Sequence, residues 1–249
     1  MRFSAAGSQM EGESAAGEPV DHMSRNREQQ RGVGAMNSKD IVELDLAGRK
    51  WLVSKTGNLE DLWNELTGEK PGDEDRIPYW TEVWPASKVL AGHISSCASL
   101  LRGRLCLDIG CGLGLTSMPA VLTGARVVAM DLEWPALVYT RRNARLNLVS
   151  PLSLVRMDWR NFALKPGVFD FIWAADILYE TRFCEPLARL LRYSIKDNGR
   201  IWIADPERNI SAKIWAYFHE YGFTVNEIKK EKAFIGEHGG MVRLMELTV

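Results

Sequence analysis

The sequence predicts an α/β fold: a doubly wound, mostly parallel sheet of seven strands that ends in an antiparallel C-terminal hairpin. From residue 104 onward, apolar runs of strand length alternate with helical patterns, which favours parallel strands covered on both faces. A glycine-rich loop directly follows the first of these runs. The last two runs have no convincing helix between them, and two such neighbours pair most simply as an antiparallel hairpin. Together these observations define the fold class.

The chain before residue 104 consists of an N-terminal stretch with few apolar residues and a following segment with strand and helix patterns. Residues 1–39 contain no Leu, Ile, Trp or Tyr, so they cannot bury enough apolar area to offset the entropy of ordering. We therefore expect a disordered tail over 1–39 and one folded domain over 40–249. The domain begins with IVELDLAGRKWLVSK (41–55), whose alternation around an Ala-Gly-Arg turn predicts a small N-terminal β-hairpin. A short amphipathic helix (59–66) and a polar loop (69–78) follow.

The main sheet and its helices are predicted from the apolar pattern. The seven strands are RLCLDIG (104–110), ARVVAMD (125–131), SLVRMD (153–158), VFDFIWAAD (168–176), GRIWIAD (199–205), FTVNEIKK (223–230) and MVRLMELTV (241–249). The helices are LTSMPAVLTG (115–124), ALVYTRRNARLNL (136–148), EPLARLLRYSI (185–195) and SAKIWAYFHEYG (211–222). The parallel strands therefore end near loops at the same edge of the sheet, where open α/β folds bind ligands.

Composition and charge exclude several classes of function. Thirty-one Lys and Arg against 32 Asp and Glu give a net charge of −1, which offers no electrostatic surface for nucleic acid or an anionic membrane. No apolar run approaches the length of a membrane span, and the N-terminus lacks a secretory signal. The four cysteines form no CxxC pair and the four histidines show no ligand spacing, so we expect a reduced, cytoplasmic, metal-free protein.

The glycine loop, Asp-Ile-Gly-Cys-Gly-Leu-Gly (108–114), indicates the kind of ligand. A dinucleotide fingerprint would need glycine where Leu115 stands, and the Gly-Lys-Ser/Thr of a P-loop is absent. Asp108 places a carboxylate just before the loop, which suits a cationic or zwitterionic ligand better than a pyrophosphate. Gly110 and Gly112 permit positive φ and close approach of the backbone. The loop therefore favours a nucleoside that carries an amino acid.

Two further strand ends extend this interpretation. Asp131 ends the second strand, 21 positions after Gly110, where a carboxylate can accept hydrogen bonds from both ribose hydroxyls. Asp158 and Trp159 end the third strand, where a polar group can meet an adenine amino group and a ring can line the pocket. Taken singly, each residue also has an ordinary structural explanation: a glycine in a turn, an aspartate that caps a helix, or a tryptophan in the core. Jointly and in this order, they suit three parts of S-adenosylmethionine.

These residues resemble those of class I, seven-strand S-adenosylmethionine-dependent methyltransferases, which have a Rossmann-like fold. Two motifs narrow the resemblance to family 16, which holds protein-lysine methyltransferases and nicotinamide N-methylase-like relatives. PYWTEVWPASKVLAGHI (78–94) resembles the family's tryptophan-bearing helix, and AADILYE (174–180) its Asp-x-x-Tyr motif. The likeness runs from about residue 40 to the end. Some relatives carry glycine after the Trp-Pro pair where this chain has Ala86, so the resemblance does not imply that this chain shares the substrate of those relatives.

The resemblance implies a role for each matching residue. The cofactor-binding set comprises Trp84, Asp108, Gly110, Gly112, Asp131, Asp158, Trp159 and Ala175. Asp176 and Tyr179 should face the substrate amine as the catalytic pair. Other interpretations stay open: Trp84 as a hydrophobic anchor, Asp176 as the N-cap of the next helix, and Arg208 as a solvated loop charge rather than a substrate contact.

The predicted function is S-adenosylmethionine-dependent methylation of a lysine side chain on a protein, by in-line methyl transfer. The partner is then a protein substrate, with no nucleic acid and no membrane, and we expect a monomer. One alternative is a small-molecule N-methyltransferase acting on a nicotinamide- or amine-type metabolite, which would use the same fold and cofactor residues. A less favoured alternative is a cofactor-binding scaffold without catalysis.

Overall fold

The structure, a computed structural model, describes residues 41–55, 78–208, 211–236 and 238–249. The predicted tail (1–39), the predicted helix at 59–66 and almost all of the predicted loop at 69–78 lie outside these ranges. A two-stranded antiparallel hairpin precedes a seven-stranded mixed sheet. The strands are β1 (Ile41–Leu46), β2 (Arg49–Ser54), β3 (Leu105–Ile109), β4 (Arg126–Asp131), β5 (Ser153–Arg156), β6 (Phe169–Ala175), β7 (Ile195–Pro206), β8 (Thr224–Ile235) and β9 (His238–Thr248).

The predicted sheet is confirmed. Its strand order is β5-β4-β3-β6-β7-β9-β8, with every pair from β5 to β7 parallel. β9 inserts antiparallel between β7 and β8, so the C-terminal hairpin closes one edge. The order reverses at β3, whose neighbours are β4 on one side and β6 on the other. Such a switch point opens a crevice at the carboxyl ends of the strands, and this is where the glycine loop lies.

Helices cover both faces of the sheet. They are α1 (Pro85–Ser96), α2 (Ala98–Leu101), α3 (Ser117–Leu122), α4 (Trp134–Leu146), α5 (Cys184–Ser194) and α6 (Ser211–Glu220). Prolines occupy the first turns of α1 and α4, where the missing N–H breaks no helical bond. α5 is strongly amphipathic: Leu187 and Leu191 are buried against the sheet, whereas Arg189 and Arg192 are exposed. Within the described ranges, no helix is long and apolar enough to cross a bilayer.

The N-terminal hairpin is held to α4 by two asparagines one helical turn apart. The Asn143 side chain accepts a hydrogen bond from the Ser54 N–H (2.8 Å) and donates to the Ser54 carbonyl (3.2 Å). Asn147 makes the same pair of bonds with Leu52, at 3.0 and 2.7 Å. Asn143 also donates to the carbonyl of Leu113 in the glycine loop, at 2.9 Å. One buried side chain therefore joins the hairpin, α4 and the glycine loop.

Candidate functional site

The glycine loop is fixed in place by backbone and side-chain hydrogen bonds. Gly110 and Gly112 have φ of 65° and 52°, in the left-handed region that favours glycine. The N–H of Gly112 donates to Asp131 Oδ2 (2.9 Å), and its carbonyl accepts from the Thr140 hydroxyl (2.7 Å). The Cys111 N–H donates to the carbonyl of Met130, at 3.0 Å. The loop is thus attached to both β4 and α4.

Asp108 supports this loop from behind. Its side chain is buried and accepts hydrogen bonds from the hydroxyls of Thr116 (2.6 Å) and Ser117 (2.5 Å). Burial raises the pKa of Asp108, and these hydrogen bonds oppose the rise. Asp108 does not line the cavity described next. The structure therefore places it under the loop, where it joins the end of β3 to the start of α3.

A cavity of about 480 Å³ opens at the carboxyl edge of the sheet. Nine of the ten predicted site residues line it: Trp84, Gly110, Gly112, Asp131, Asp158, Trp159, Ala175, Asp176 and Tyr179. They come from the ends of β3, β4, β5 and β6 and from the start of α1. Residues far apart in sequence are therefore brought to one site by the strand order.

Asp131 ends β4 inside this cavity. Its Oδ2 accepts from the Gly112 N–H and its Oδ1 from the Glu133 N–H, at 2.9 and 3.0 Å. Burial raises the pKa of Asp131 to about 6, although both hydrogen bonds favour the ionised form. The carboxylate therefore titrates just below neutral pH.

The residues that follow β5 contribute an ion pair and an aromatic ring to the cavity lining. Asp158 accepts from the Arg160 N–H (2.8 Å) and forms a bidentate ion pair with the Arg160 guanidinium, with distances of 2.7 to 3.0 Å. The Arg160 side chain lowers the pKa of Asp158. The ring of Trp159 meets Phe183 edge-on, with centroids 5.5 Å apart. Phe183 thereby holds Trp159 against the cavity.

Asp176 follows β6 directly and adopts φ of 59°. Its N–H donates to the Ala204 carbonyl on β7 (2.9 Å), and its side chain is 5% exposed. The helix-capping alternative is wrong, because α5 begins only at Cys184 and Phe183 is its N-cap residue. Asp176 instead pairs with Arg208, whose Nη2 lies 2.5 Å from Oδ1. The expectation that Arg208 is a solvated loop charge is therefore also wrong.

Aromatic rings surround the entrance beside Asp176. Tyr179 lies 4.9 Å from Tyr79 and 5.7 Å from Phe183, measured between ring centroids. Burial raises the pKa of Tyr179 to about 12, so its hydroxyl stays protonated at neutral pH. Trp84 is half-buried at the start of α1, and its indole N–H donates to the Tyr79 carbonyl, at 2.7 Å. These rings line the same cavity as the buried Asp176 carboxylate.

Sequence reasoning missed several residues of this site. Tyr79, Glu133, Arg182 and Phe183 all line the cavity, yet they lie in turns that no periodicity distinguishes. Tyr79 could have been found, because it belongs to the segment that carries the family 16 resemblance.

Two other sequence inferences concern thiols and metal ions. Cys111 in the loop is buried, with its sulfur 3.6 Å from the Thr140 hydroxyl, and burial raises its pKa well above the ordinary value. A thiol held protonated is a poor nucleophile, which agrees with a role in filling the loop. Among the residues that the structure describes, no three His, Cys, Asp or Glu side chains are placed to hold a metal ion.

Comparison with known proteins identifies several relatives of this chain. Residues 106–199 match a family model described as a methyltransferase domain. The electron transfer flavoprotein beta subunit lysine methyltransferase of Danio rerio is 32% identical over 133 residues, 53% of this chain and 51% of the relative. Protein N-lysine methyltransferase METTL21A of Mus musculus is 30% identical over 152 residues, 59% of this chain and 69% of the relative. The chain thus spans about half the length of the flavoprotein methyltransferases.

Solved structures show the same fold at lower identity. Pyrococcus horikoshii TYW2 in complex with MeSAdo is similar over 85% of this chain and 72% of that protein, with a TM-score of 0.53 and 19% identity. Magnesium protoporphyrin IX methyltransferase from Synechocystis is similar over 76% of this chain and 92% of that protein, with a TM-score of 0.52 and 18% identity. With its strand order, its glycine loop and the METTL21A match, the chain belongs to the class I S-adenosylmethionine-dependent methyltransferases of family 16.

Proposed function

We propose that this chain transfers a methyl group from S-adenosylmethionine to the side-chain amine of a lysine in a protein substrate. The observation that carries the proposal is one cavity with two sets of lining residues: the glycine loop with strand-end carboxylates, and aromatic rings with Asp176. The first set suits a charged nucleoside, and the second suits a long side chain with a charged end.

The cofactor would lie along the ends of β3, β4 and β5. Gly110 leaves room for this placement, because a Cβ there would enter the space between two other lining residues, 3.0 Å from Ile177 Cγ2 and 3.8 Å from Trp159. Asp131 would accept the ribose hydroxyls, and Trp159 and Asp158 would meet the adenine. Gly112, Ala175 and Trp84 would surround the methionine part and the sulfonium. When bound, S-adenosylmethionine supplies an electrophilic methyl group.

The chain's own residues would deliver the amine. A lysine is protonated at neutral pH and must release a proton to solvent before its nitrogen can attack the methyl group. The rings of Tyr79, Tyr179 and Phe183 would exclude water around the bound amine, and a dry environment favours its neutral form. Asp176 would accept a hydrogen bond from the amine nitrogen and thereby direct its lone pair towards the methyl group. Alignment and desolvation then supply most of the acceleration.

The relatives suggest where to look for the substrate. Five of them, 28–32% identical, are named for lysine methylation of the electron transfer flavoprotein beta subunit. We propose that protein as the first substrate to assay. We also propose that the chain acts as a monomer on proteins rather than on nucleic acids or membranes. A cytoplasmic location is supported by four free thiols, the state expected in a reducing compartment.

The test uses the purified full chain, methyl-labelled S-adenosylmethionine, and either a cell lysate or the purified flavoprotein beta subunit. Asp176→Asn removes the proposed acceptor charge at constant shape. Asp197→Asn is the matched control, because Asp197 is exposed at the opposite end of β7 and its side chain forms no ion pair or hydrogen bond among the described residues.

Three outcomes separate the alternatives. A discrete labelled protein band with wild type and Asp197→Asn, lost with Asp176→Asn, supports lysine methylation. Label that enters only small molecules overturns the protein substrate in favour of a metabolite. If wild type binds the cofactor and transfers no label, the proposed activity is wrong and the chain is a binding scaffold.

A further inference from the structure

Two buried carboxylates lie side by side where β6 and β7 end. Ala175 pairs with Ala204 in the parallel register, so the residues that follow them, Asp176 and Asp205, are neighbours. The Asp176 side chain is 5% exposed and that of Asp205 is fully buried. Two carboxylates in such a place repel one another, and burial penalises the charge on each. A cation is needed if both are to stay ionised.

Arg208 provides that cation. Its Nη2 lies 2.5 Å from Asp176 Oδ1, and its Nη1 lies 3.4 Å from Asp205 Oδ1. Arg208 follows Asp205 by three residues, and its N–H donates to the Pro206 carbonyl (2.8 Å), which folds the loop back over the strand ends. The position of the guanidinium is therefore set by the loop.

Three other charged groups nearby have partners of their own, and a fourth, Arg243, lies opposite Asp205 on β9 and forms no ion pair with Asp176 among the described residues. Glu207, beside Arg208, pairs with Lys230 on β8 at 2.9 Å. Glu180, which follows Tyr179, pairs with Arg182. Asp131 across the cavity accepts from two backbone N–H groups. Arg208 is thus the cation that acts on Asp176: burial raises the pKa of Asp176, and the guanidinium opposes that rise.

We propose that Arg208 is a positioning residue for methyl transfer, which holds Oδ1 of Asp176 so that Oδ2 is presented to the substrate amine. This inference rests on the proposed function. Asp176 lines the cavity and Arg208 does not, so the guanidinium approaches the carboxylate from outside the cavity. Within the described residues, Oδ2 of Asp176 has no hydrogen-bond partner, which leaves it for the amine.

Arg208 stays in place when substrate binds, because Asp205 anchors it. If the arginine moved away, its ion pair with the buried Asp205 carboxylate would also break, and breaking a buried ion pair is destabilising. The amine therefore adds to the Asp176 carboxylate instead of replacing the guanidinium.

The experiment compares Arg208→Met and Arg208→Lys with wild type in the full chain. The rate of labelling of the protein that wild type methylates is measured from pH 6 to 9.5, and the affinity for S-adenosylhomocysteine is measured by calorimetry. We expect Arg208→Met to lower the rate at pH 7 by about tenfold or more, because a protonated Asp176 accepts a weaker hydrogen bond from the amine. The acidic limb of the pH–rate profile should move upward by about one pH unit. Arg208→Lys keeps the charge but cannot contact both carboxylates through two nitrogens, so it should restore only part of the rate, and cofactor affinity stays within about twofold in both variants.

A second readout keeps this test separate from the proposed activity. Carbon-13 NMR of labelled aspartate, assigned with Asp176→Asn, gives the pKa of Asp176 directly. We expect that pKa to rise in Arg208→Met and to return towards the wild-type value in Arg208→Lys. An unchanged pKa or an unchanged pH profile in Arg208→Met overturns the positioning role. Wild type that transfers no methyl overturns the proposed function, and the NMR result then still decides whether Arg208 controls Asp176.

Discussion

Gly114 makes the closest packing contact of the glycine loop, with Thr140 on α4, and replacing Gly114 with alanine tests that contact. Its φ is 82°, and a Cβ there would lie 2.9 Å from Thr140 Cγ2 and 3.3 Å from Thr140 Oγ1. Thr140 cannot move aside, because it is fully buried on α4 and its hydroxyl donates to the Gly112 carbonyl at 2.7 Å. The loop and α4 would have to separate to admit the methyl group.

The expected loss of stability in Gly114→Ala has two components, and a control variant separates them. A left-handed φ costs an alanine roughly 1–2 kcal/mol, and overpacking a buried contact costs roughly 1–3 kcal/mol. We therefore expect Gly114→Ala to lower the free energy of unfolding by about 2–5 kcal/mol. Gly222 has the same φ of 82° and no heavy atom within 4 Å of its would-be Cβ. Gly222→Ala should show the backbone cost alone, about 1–2 kcal/mol.

Urea unfolding followed by circular dichroism measures both variants. Thr140→Ser removes Cγ2 and keeps the hydroxyl, so combining it with Gly114→Ala should recover part of the packing cost. Cofactor affinity should fall in Gly114→Ala and stay unchanged in Gly222→Ala. Equal destabilisation by the two alanines, or no recovery with Thr140→Ser, would falsify the reasoning that the loop is packed against Thr140.

Three further predictions follow from buried groups. Asp108→Ala should lower the free energy of unfolding by about 2–4 kcal/mol, because it leaves two buried hydroxyls without their acceptor; a loss below 1 kcal/mol in urea would contradict this role. Because burial raises the pKa of Asp131 to about 6, about a tenth of it is ionised at pH 5, and S-adenosylhomocysteine should bind about tenfold more weakly there than at pH 7.5. Asp131→Asn should abolish that difference in calorimetry, and a persisting pH dependence would place its source elsewhere. Iodoacetamide should alkylate Cys97, which is partly exposed, before Cys111, whose buried thiol has a raised pKa; mass mapping that finds Cys111 modified first would refute this order.

The sign of the Asp131 effect on folding follows from the same pKa. An unfolded aspartate ionises near its ordinary value, whereas the folded one stays protonated up to about pH 6. The native state therefore binds more protons than the unfolded state between these values, and this group lowers stability as pH rises through that window. Cofactor binding and stability should accordingly respond to pH in opposite directions.

Much of the fold could be predicted because apolar runs of the right length define parallel strands. The strand ends differ from the prediction: β8 continues to Ile235 rather than to 230, since the charged run 229–232 separates its last apolar residues, 233–235, from the apolar residues at its start. β5 stops at Arg156, two residues before the predicted end. Hydrogen bonding, rather than composition, decides such limits.

The residues predicted to line the cavity mostly stand at strand ends. Contacts that depend on which two strands are neighbours in the sheet were not predicted. Asp108 lies one residue inside β3, and side chains alternate along a strand. Leu107 and Ile109 therefore point to the core under α5 and α6, and Asp108 points to the opposite face, beneath the glycine loop. Arg208 was misjudged because its partner Asp176 is a neighbour only when β6 pairs with β7, which no local pattern of the loop contains.

The two asparagines of α4 have a consequence for how the N-terminal hairpin behaves. Through them the inner edge of β2 meets side-chain amides instead of another strand, so the polar backbone groups of Leu52 and Ser54 are satisfied and that edge is closed to strand addition. Because Asn143 also donates to Leu113, the hairpin and the glycine loop share one mechanical link. A partner that displaces β2 would break the bonds between Ser54 and Asn143, and the side chain that also holds the Leu113 carbonyl in the cavity lining would lose that support.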